Sequence, residues 1–227
     1  MADLTKEILL ASGNQGKLRE MKEIASTYHY RIVSLKELGL KGDAPETGQT
    51  FLENARQKAE YYFKKTGLPV IADDSGLEVD ALNGAPGIHS ARYGGLNTEE
   101  ERRAWLLHQL TDVPDPQRRA RFRSVAVYMD QHGCIHASGT AEGFILRQEK
   151  GSGGFGYDPV FSTSLNGPTY AEITQEEKNR TSHRGQAFRK LFALLANKEQ
   201  AGRQASTRQA AAADIKRITR NGHHGIS

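Results

Sequence analysis

The sequence predicts a mixed α/β fold, and three observations carry that prediction. Short buried-strand runs alternate with helical patterns through the first half, a long hairpin pattern follows in the second, and clear start and stop signals bound the helices. With 227 residues, 37% of them apolar, the chain is long enough for one sizeable core, arranged as a single domain or as two close lobes.

Ile8-Leu9-Leu10-Ala11 reads as a buried strand and Ser12-Gly13-Asn14-Gln15-Gly16 as a loop. A helix begins near Lys17, with Leu18, Met21, Ile24 and Ala25 at helical spacing. Arg31 to Leu35 alternates like a strand, and a polar loop runs on to Gln49. Thr50 and Glu53 then form a capping box, Phe51, Ala55, Ala59, Tyr62 and Phe63 supply an apolar face, and Gly67 ends the helix before Pro69. Pro69-Val70-Ile71-Ala72 is a second buried strand that runs into Asp73-Asp74-Ser75-Gly76 at its end. Glycine and proline punctuate residues 84–95, and a helix follows at about 98–110. Arg119 to Met129 and Cys134 to Leu146 pattern as a hairpin turning at Gln131-His132-Gly133. Beyond the glycine-rich 151–156, a last strand is expected over Tyr157 to Phe161 and helices over 174–180 and 183–196.

Composition excludes several classes. The single cysteine, Cys134, cannot close an internal bridge, the first residues lack the apolar run of a secretory signal, and nothing approaches the roughly 18 apolar residues of a membrane span. A cytoplasmic location with no membrane partner is therefore expected. From Asn197 onward six Lys/Arg face two acids, which accounts for the whole net charge of +4 and leaves residues 1–196 neutral. The body thus gives no charge argument for a polyanion such as DNA, and no stable nucleic-acid partner is expected. Residues 198–227 lack apolar periodicity and are expected to form a mobile tail or a weakly held terminal helix, leaving 1–197 as the domain.

Several motifs carry chemistry. The strand–loop–helix unit Ser12 to Lys17 offers backbone N–H groups, a helix N-terminus and a lysine to an anion, although it lacks the glycine and hydroxyl placement of a Walker A loop. An ordinary tight turn would leave the same pattern. Asp73 and Asp74, adjacent at a strand end, repel one another unless a cation or hydrogen bonds compensate, and carboxylates suit Mg²⁺ shared with phosphates. The competing reading is a surface turn bonded to its own backbone. Glu46 in its loop is a candidate second ligand, or simply solvated. Gly153 to Pro159 sets aromatics among glycines, which lets a base stack on Phe155, while Lys178, His183 and Arg184 gather nitrogen-rich side chains late in the chain.

Taken in order over residues 7–196, these stretches resemble the inosine triphosphate pyrophosphatase family, the XTP/dITP diphosphatases. They include Ser12–Lys17, Glu46–Ala55, Ala72–Leu77, Gly84–Tyr93, Gly153–Pro159 and Glu176–Gln186. The resemblance implies an elongated mixed sheet with two lobes around a central nucleotide cleft, a homodimer, and Mg²⁺-dependent cleavage of the α–β phosphoanhydride to a nucleoside monophosphate and pyrophosphate. By position, Asp74 looks like the catalytic carboxylate, with Glu46 beside it as a metal ligand. Ser12, Gly13, Asn14, Gln15, Gly16, Lys17 and Lys178 look like triphosphate contacts, and Ser75 a further substrate contact. Phe155, Gly156, Tyr157 and Asp158 with His183 and Arg184 look like the nucleoside-binding segments. The tail lies outside the resemblance. A non-catalytic nucleotide sensor on the same fold is the rival reading, and it predicts that Asp74→Asn leaves any turnover unchanged.

Overall fold

The computed structural model describes residues 6–42 and 44–221. Strand β1 (Lys6–Leu10) leads into α1 (Gln15–Ala25), whose first turn is closed by the Asn14 side chain accepting the Lys17 N–H. Next come β2 (Tyr30–Ser34) and α2 (Phe51–Thr66), capped by Thr50 on the Glu53 N–H and ended by Gly67 at φ 68°. Strand β3 (Val70–Val79) follows, then α3 (Glu99–Gln109), β4 (Arg119–Asp130) and β5 (Gly133–Ile145). Strand β6 (Phe161–Ser162) and helices α4 (Gln175–Thr181) and α5 (His183–Asn221) complete the order.

One six-stranded sheet, ordered β2-β1-β3-β4-β5-β6, organises the fold. Strand β1 pairs in parallel with β2 and β3, with helical crossovers between them, whereas β3, β4, β5 and β6 pair antiparallel. The expected α/β class is therefore observed. One core lies where α2 covers the sheet, joining Ala55, Ala59 and Tyr62 to Leu9, Val70, Ala72 and Val127. A second lies at the other end, where Leu106 and Leu110 of α3 meet Leu77, Val79, Phe122 and Phe161.

Two expectations need correction. Strand β3 does not end at Ala72. Strand β4 supplies ladder partners as far as Val79, so Asp73, Asp74, Ser75 and Gly76 sit opposite Ala126, Val125, Ser124 and Arg123. Buried Leu77 and Val79 anchor the extension. Side chains alternate along a strand, so the two carboxylates point to opposite faces of the sheet and are not a pair. The expected strand over Tyr157–Phe161 is mostly a 3₁₀ turn, Asp158–Val160, because Pro159 fixes its φ in the turn region and lacks an N–H for a ladder; only Phe161–Ser162 pairs.

Helix α5 begins where expected but continues to Asn221, and the chain divides into two compact units between Leu191 and Phe192. Every site residue described below belongs to the first unit. The last six residues of the expected tail lie outside the described residues. Among the described residues, no helix is long and apolar enough to cross a membrane.

Candidate active site

A cleft of about 270 Å³ opens over the middle of β3. Asn14, Lys17, Glu46, Asp74, Ser75, Phe155, Gly156, Tyr157, Asp158, Lys178, His183 and Arg184 all line it. Segments drawn from residues 14–184 thus converge on one place.

Asp74 faces α2. Asn54 donates to its Oδ2 at 3.1 Å, and the Lys58 ammonium lies 3.6 Å from Oδ1. The same ammonium is 2.9 Å from Glu46 Oε1 and donates to the Asp73 carbonyl at 2.7 Å. Arg92 reaches Glu46 Oε2 from the rim at 3.7 Å. Burial pushes the Asp74 carboxyl above its ordinary pKa; Lys58, Lys17 and the Asn54 bond pull it down without cancelling that effect, and Glu46 adds to it. Here the fold holds a carboxylate short of countercharge at the mouth of a cleft. Glu46 and Asp74, converging on one ammonium, also suit a divalent cation. Two carboxylates with room left for water and phosphate oxygens suit a hard divalent cation.

Asp73 faces the other way, toward α1 and α5. Its Oδ2 accepts Lys17 at 2.8 Å and Ser75 Oγ at 3.3 Å, with Arg184 Nε 3.6 Å away. Arg184 pairs in turn with Glu20, Glu20 lies 3.1 Å from Lys178, and Lys178 donates to Asp158 at 2.6 Å. Six charges, five of them buried and Lys17 half-buried, alternate in sign along this line, three positive and three negative. Burial alone would raise the Asp73 carboxyl, but Lys17, Arg184 and Lys58 outweigh it and bring its pKa to about 2. Glu20 is likewise lowered, Arg184 and Lys178 overcoming its desolvation, whereas burial wins at Asp158 and raises it.

His183 is buried with its ring stacked on Phe122 at 4.7 Å and an interplanar angle of 10°. Burial, then Arg184, Lys178 and Lys17, push its pKa well below the usual value, so the imidazole is neutral at physiological pH. Neither ring nitrogen has a hydrogen-bond partner. The neutral ring therefore keeps one donor and one acceptor that no protein group satisfies. Beside it, the Phe155 ring lies 4.6 Å from the Lys178 ammonium and 4.9 Å from the Arg184 guanidinium.

Four expected phosphate contacts, Ser12, Gly13, Gln15 and Gly16, are not among the residues that line the cleft. Ser12, Gly13 and Gln15 line a separate cavity of about 280 Å³ with Lys36 and Lys41. Gly16 lies under Phe155, where an added Cβ would fall 2.6 Å from the ring. Tyr157 lines the cleft, but its hydroxyl donates to the Ser90 carbonyl at 2.9 Å and serves the framework. Sequence reasoning missed Lys58, Asn54 and Glu20. A signal existed for the first two: positions 54 and 58 fall on the same buried stripe of α2 as Phe51, Ala55, Ala59 and Tyr62, so polar residues there demand a polar partner. Glu20 adjoins Met21 on the buried face of α1 in the same way.

A mixed α/β sheet carrying a cleft with a carboxylate pair, an array of cations and an aromatic beside a neutral histidine defines a nucleotide-type site. The family follows from comparison: a model of the Ham1 family matches residues 8–194, and the chain belongs to that family. It is 50% identical over 196 residues to the dITP/XTP pyrophosphatase of Salmonella typhimurium, covering 85% of this chain and 99% of that protein. Its fold matches the Ham1 protein of Staphylococcus aureus with TM-score 0.75 at 42% identity, covering 85% of this chain and all of that one. A HAM1 protein from Coxiella burnetii matches over the same shares, with TM-score 0.76 at 42% identity.

Proposed function

We propose that this chain hydrolyses deaminated purine nucleoside triphosphates, dITP, XTP and ITP, to the monophosphate and pyrophosphate with Mg²⁺. The observation that carries the reading is the under-compensated Asp74 carboxylate facing Glu46 and Lys58 across a cleft that also holds a neutral His183. Membership of the Ham1 family and the names of half-identical relatives support it.

Glu46 and Asp74 would hold Mg²⁺, which supplies charge neutralisation to the phosphates when bound. Lys17, at the start of α1, and Lys58 add further positive charge where an anhydride must be neutralised. Asp74, on the cleft wall beside Glu46 and Lys58, serves as metal ligand or as acceptor for the proton of the attacking water. Phe155 gives the base a face, and His183 with Arg184 reads its edge. Donors aimed at a purine 6-position meet the keto oxygen of hypoxanthine or xanthine, whereas an adenine amino group leaves them unpaired, a mismatch able to reject a substrate by roughly 10⁴-fold.

Pyrophosphate and orthophosphate release are measured with ITP, XTP, dITP, GTP and ATP. Pyrophosphate as first product, with ITP, dITP and XTP far ahead of ATP and GTP, is expected; orthophosphate first, or no such preference, overturns the reading. We also infer a homodimer in the cytosol, in line with the resemblance and the lone cysteine; sedimentation of the full chain as a monomer would reject the dimer.

A further inference from the structure

The glycine-rich loop over residues 151–156 carries glycines at 151, 153, 154 and 156, and three of them, Gly151, Gly154 and Gly156, have positive φ. Such a segment has little conformational preference of its own, so its shape must be imposed from outside. Helix α3 imposes it at Gly156. The Glu99 carboxylate accepts the Gly156 N–H at 2.7 Å, and Arg103, one turn further along the same face, donates to the Gly156 carbonyl at 2.9 Å. Both backbone polar groups of a single residue are thus held by one helix. Arg103 is itself buried and anchored, 3.0 Å from Glu149 and 3.5 Å from Glu100. Glu149 precedes the loop, so the guanidinium ties its entry to its exit.

Gly156 stands between Phe155, which meets the two cations, and Asp158, which takes Lys178 at 2.6 Å. A shift of Gly156 moves both. We propose that Glu99 and Arg103 are positioning residues that clamp Gly156, setting base affinity from α3 while leaving the phosphate end of the cleft untouched. The inference rests on the reading of Phe155–Asp158 as the base-receiving segment.

Three measurements on the full chain test it: amide hydrogen exchange over residues 151–158, steady-state kinetics with XTP, and inhibition by inorganic tripolyphosphate, which probes the phosphate end alone. In Glu99→Ala, exchange at Gly156 accelerates and the XTP KM rises about tenfold, the size of one lost charge-assisted bond, with kcat within about threefold and tripolyphosphate inhibition unchanged. Glu99→Gln, which keeps an acceptor oxygen, restores most of the affinity, and Arg103→Lys, which keeps one donor, falls between. Unchanged exchange in Glu99→Ala, a parallel loss of tripolyphosphate inhibition, or no rescue by glutamine overturns the clamp. Faster exchange with an unmoved XTP KM also overturns it; if Phe155→Ala then leaves that KM unmoved as well, the base-site reading has failed rather than the contact between α3 and the loop.

Discussion

Asp73 and Asp74 are neighbours in one strand, yet the fold gives them opposite fates. Asp73 is buried among Lys17, Arg184 and Ser75, and its pKa falls to about 2. Asp74, across the sheet, meets one amide and a shared ammonium, and its pKa is raised. Strand alternation alone makes the difference, by handing each carboxylate to a different layer of helices. One side chain holds the site together, while the other is left with unspent basicity for a substrate, a metal or a proton.

The largest effect that tests this contrast is on turnover. Asp74→Asn keeps the size of the side chain and a partner for Asn54 while removing the charge and the proton acceptor. Pyrophosphate release is expected to fall by roughly 10³-fold or more, within the range of a lost general base and metal ligand, with nucleotide binding by calorimetry largely kept. Turnover unchanged in this variant would favour the sensor reading.

Stability should respond with the opposite ranking. Asp73→Asn leaves Lys17 and Arg184 facing a neutral amide, and truncating one partner of a buried charge network costs about 3 kcal/mol or more. Because folding lowers the Asp73 pKa from 3.8 to about 2, its ionic contribution is present above pH ~4 and is lost as pH falls toward and through 2. That shift corresponds to about 2 kcal/mol. The deficit of Asp73→Asn in urea unfolding is thus expected to be widest at neutral pH and to narrow below pH 4. Asp74 has the reverse sign: folding raises its pKa, so the ionised group disfavours the fold above that pKa and the penalty vanishes in acid. Asp74→Asn is therefore expected to be neutral or slightly stabilising at pH 7. Equal destabilisation by both substitutions would erase the contrast.

These two residues also mark what was legible in the sequence. Strand β3, the capped helix α2 and the β4–β5 hairpin all follow from periodicity and local caps, and the cleft gathers the motifs expected to share it. Yet the adjacent aspartates suggested a repelling pair at a strand end. Only the ladder with β4, a non-local fact, shows that the strand runs on and separates them. The same holds for Lys58 and Glu20, whose helical spacing says only that they are buried, and whose partners lie 12 to 164 residues away. Ser12, Gly13 and Gln15 illustrate the converse: contiguous with Asn14 and Lys17 in sequence, they turn toward another cavity because the chain reverses there into α1.

Lys58 sharpens the contrast at intermediate size. It sits 2.9 Å from Glu46 and 3.6 Å from Asp74, and burial of its ammonium is more than offset by Asp74, Asp73 and Glu46, which raise its pKa. Lys58→Met removes the charge at similar length and leaves Glu46 and Asp74 facing one another. The Asp74 carboxyl is then raised further, so the acid limb of the pH–rate profile is expected to move to higher pH, by about one unit for ~1.4 kcal/mol of lost interaction. An acid limb that stays put would show that Asp74 does not feel Lys58 in the working enzyme.

The smallest expected effect concerns Gly16, where the two halves meet. It carries no side chain, and an added Cβ would lie 2.6 Å from the Phe155 ring and 3.1 Å from Asn14 Oδ1. In the proposed reading Phe155 belongs to the base side and α1 to the phosphate side, so a methyl group at this position separates them without altering any charge. The ring can yield by rotation, but then leaves the Lys178 and Arg184 cations 4.6 and 4.9 Å from its centre without that contact. A cation–π contact contributes about 0.5–1 kcal/mol when exposed and about 2 kcal/mol when desolvated, and both cations here are buried. Gly16→Ala is therefore expected to raise the XTP KM by roughly threefold to tenfold and to lower stability in urea unfolding by about 1–2 kcal/mol, with every ion pair kept. A variant that instead lost kcat at unchanged KM would place Gly16 on the phosphate side, as its position in the Ser12–Lys17 loop suggests when the sequence is read alone.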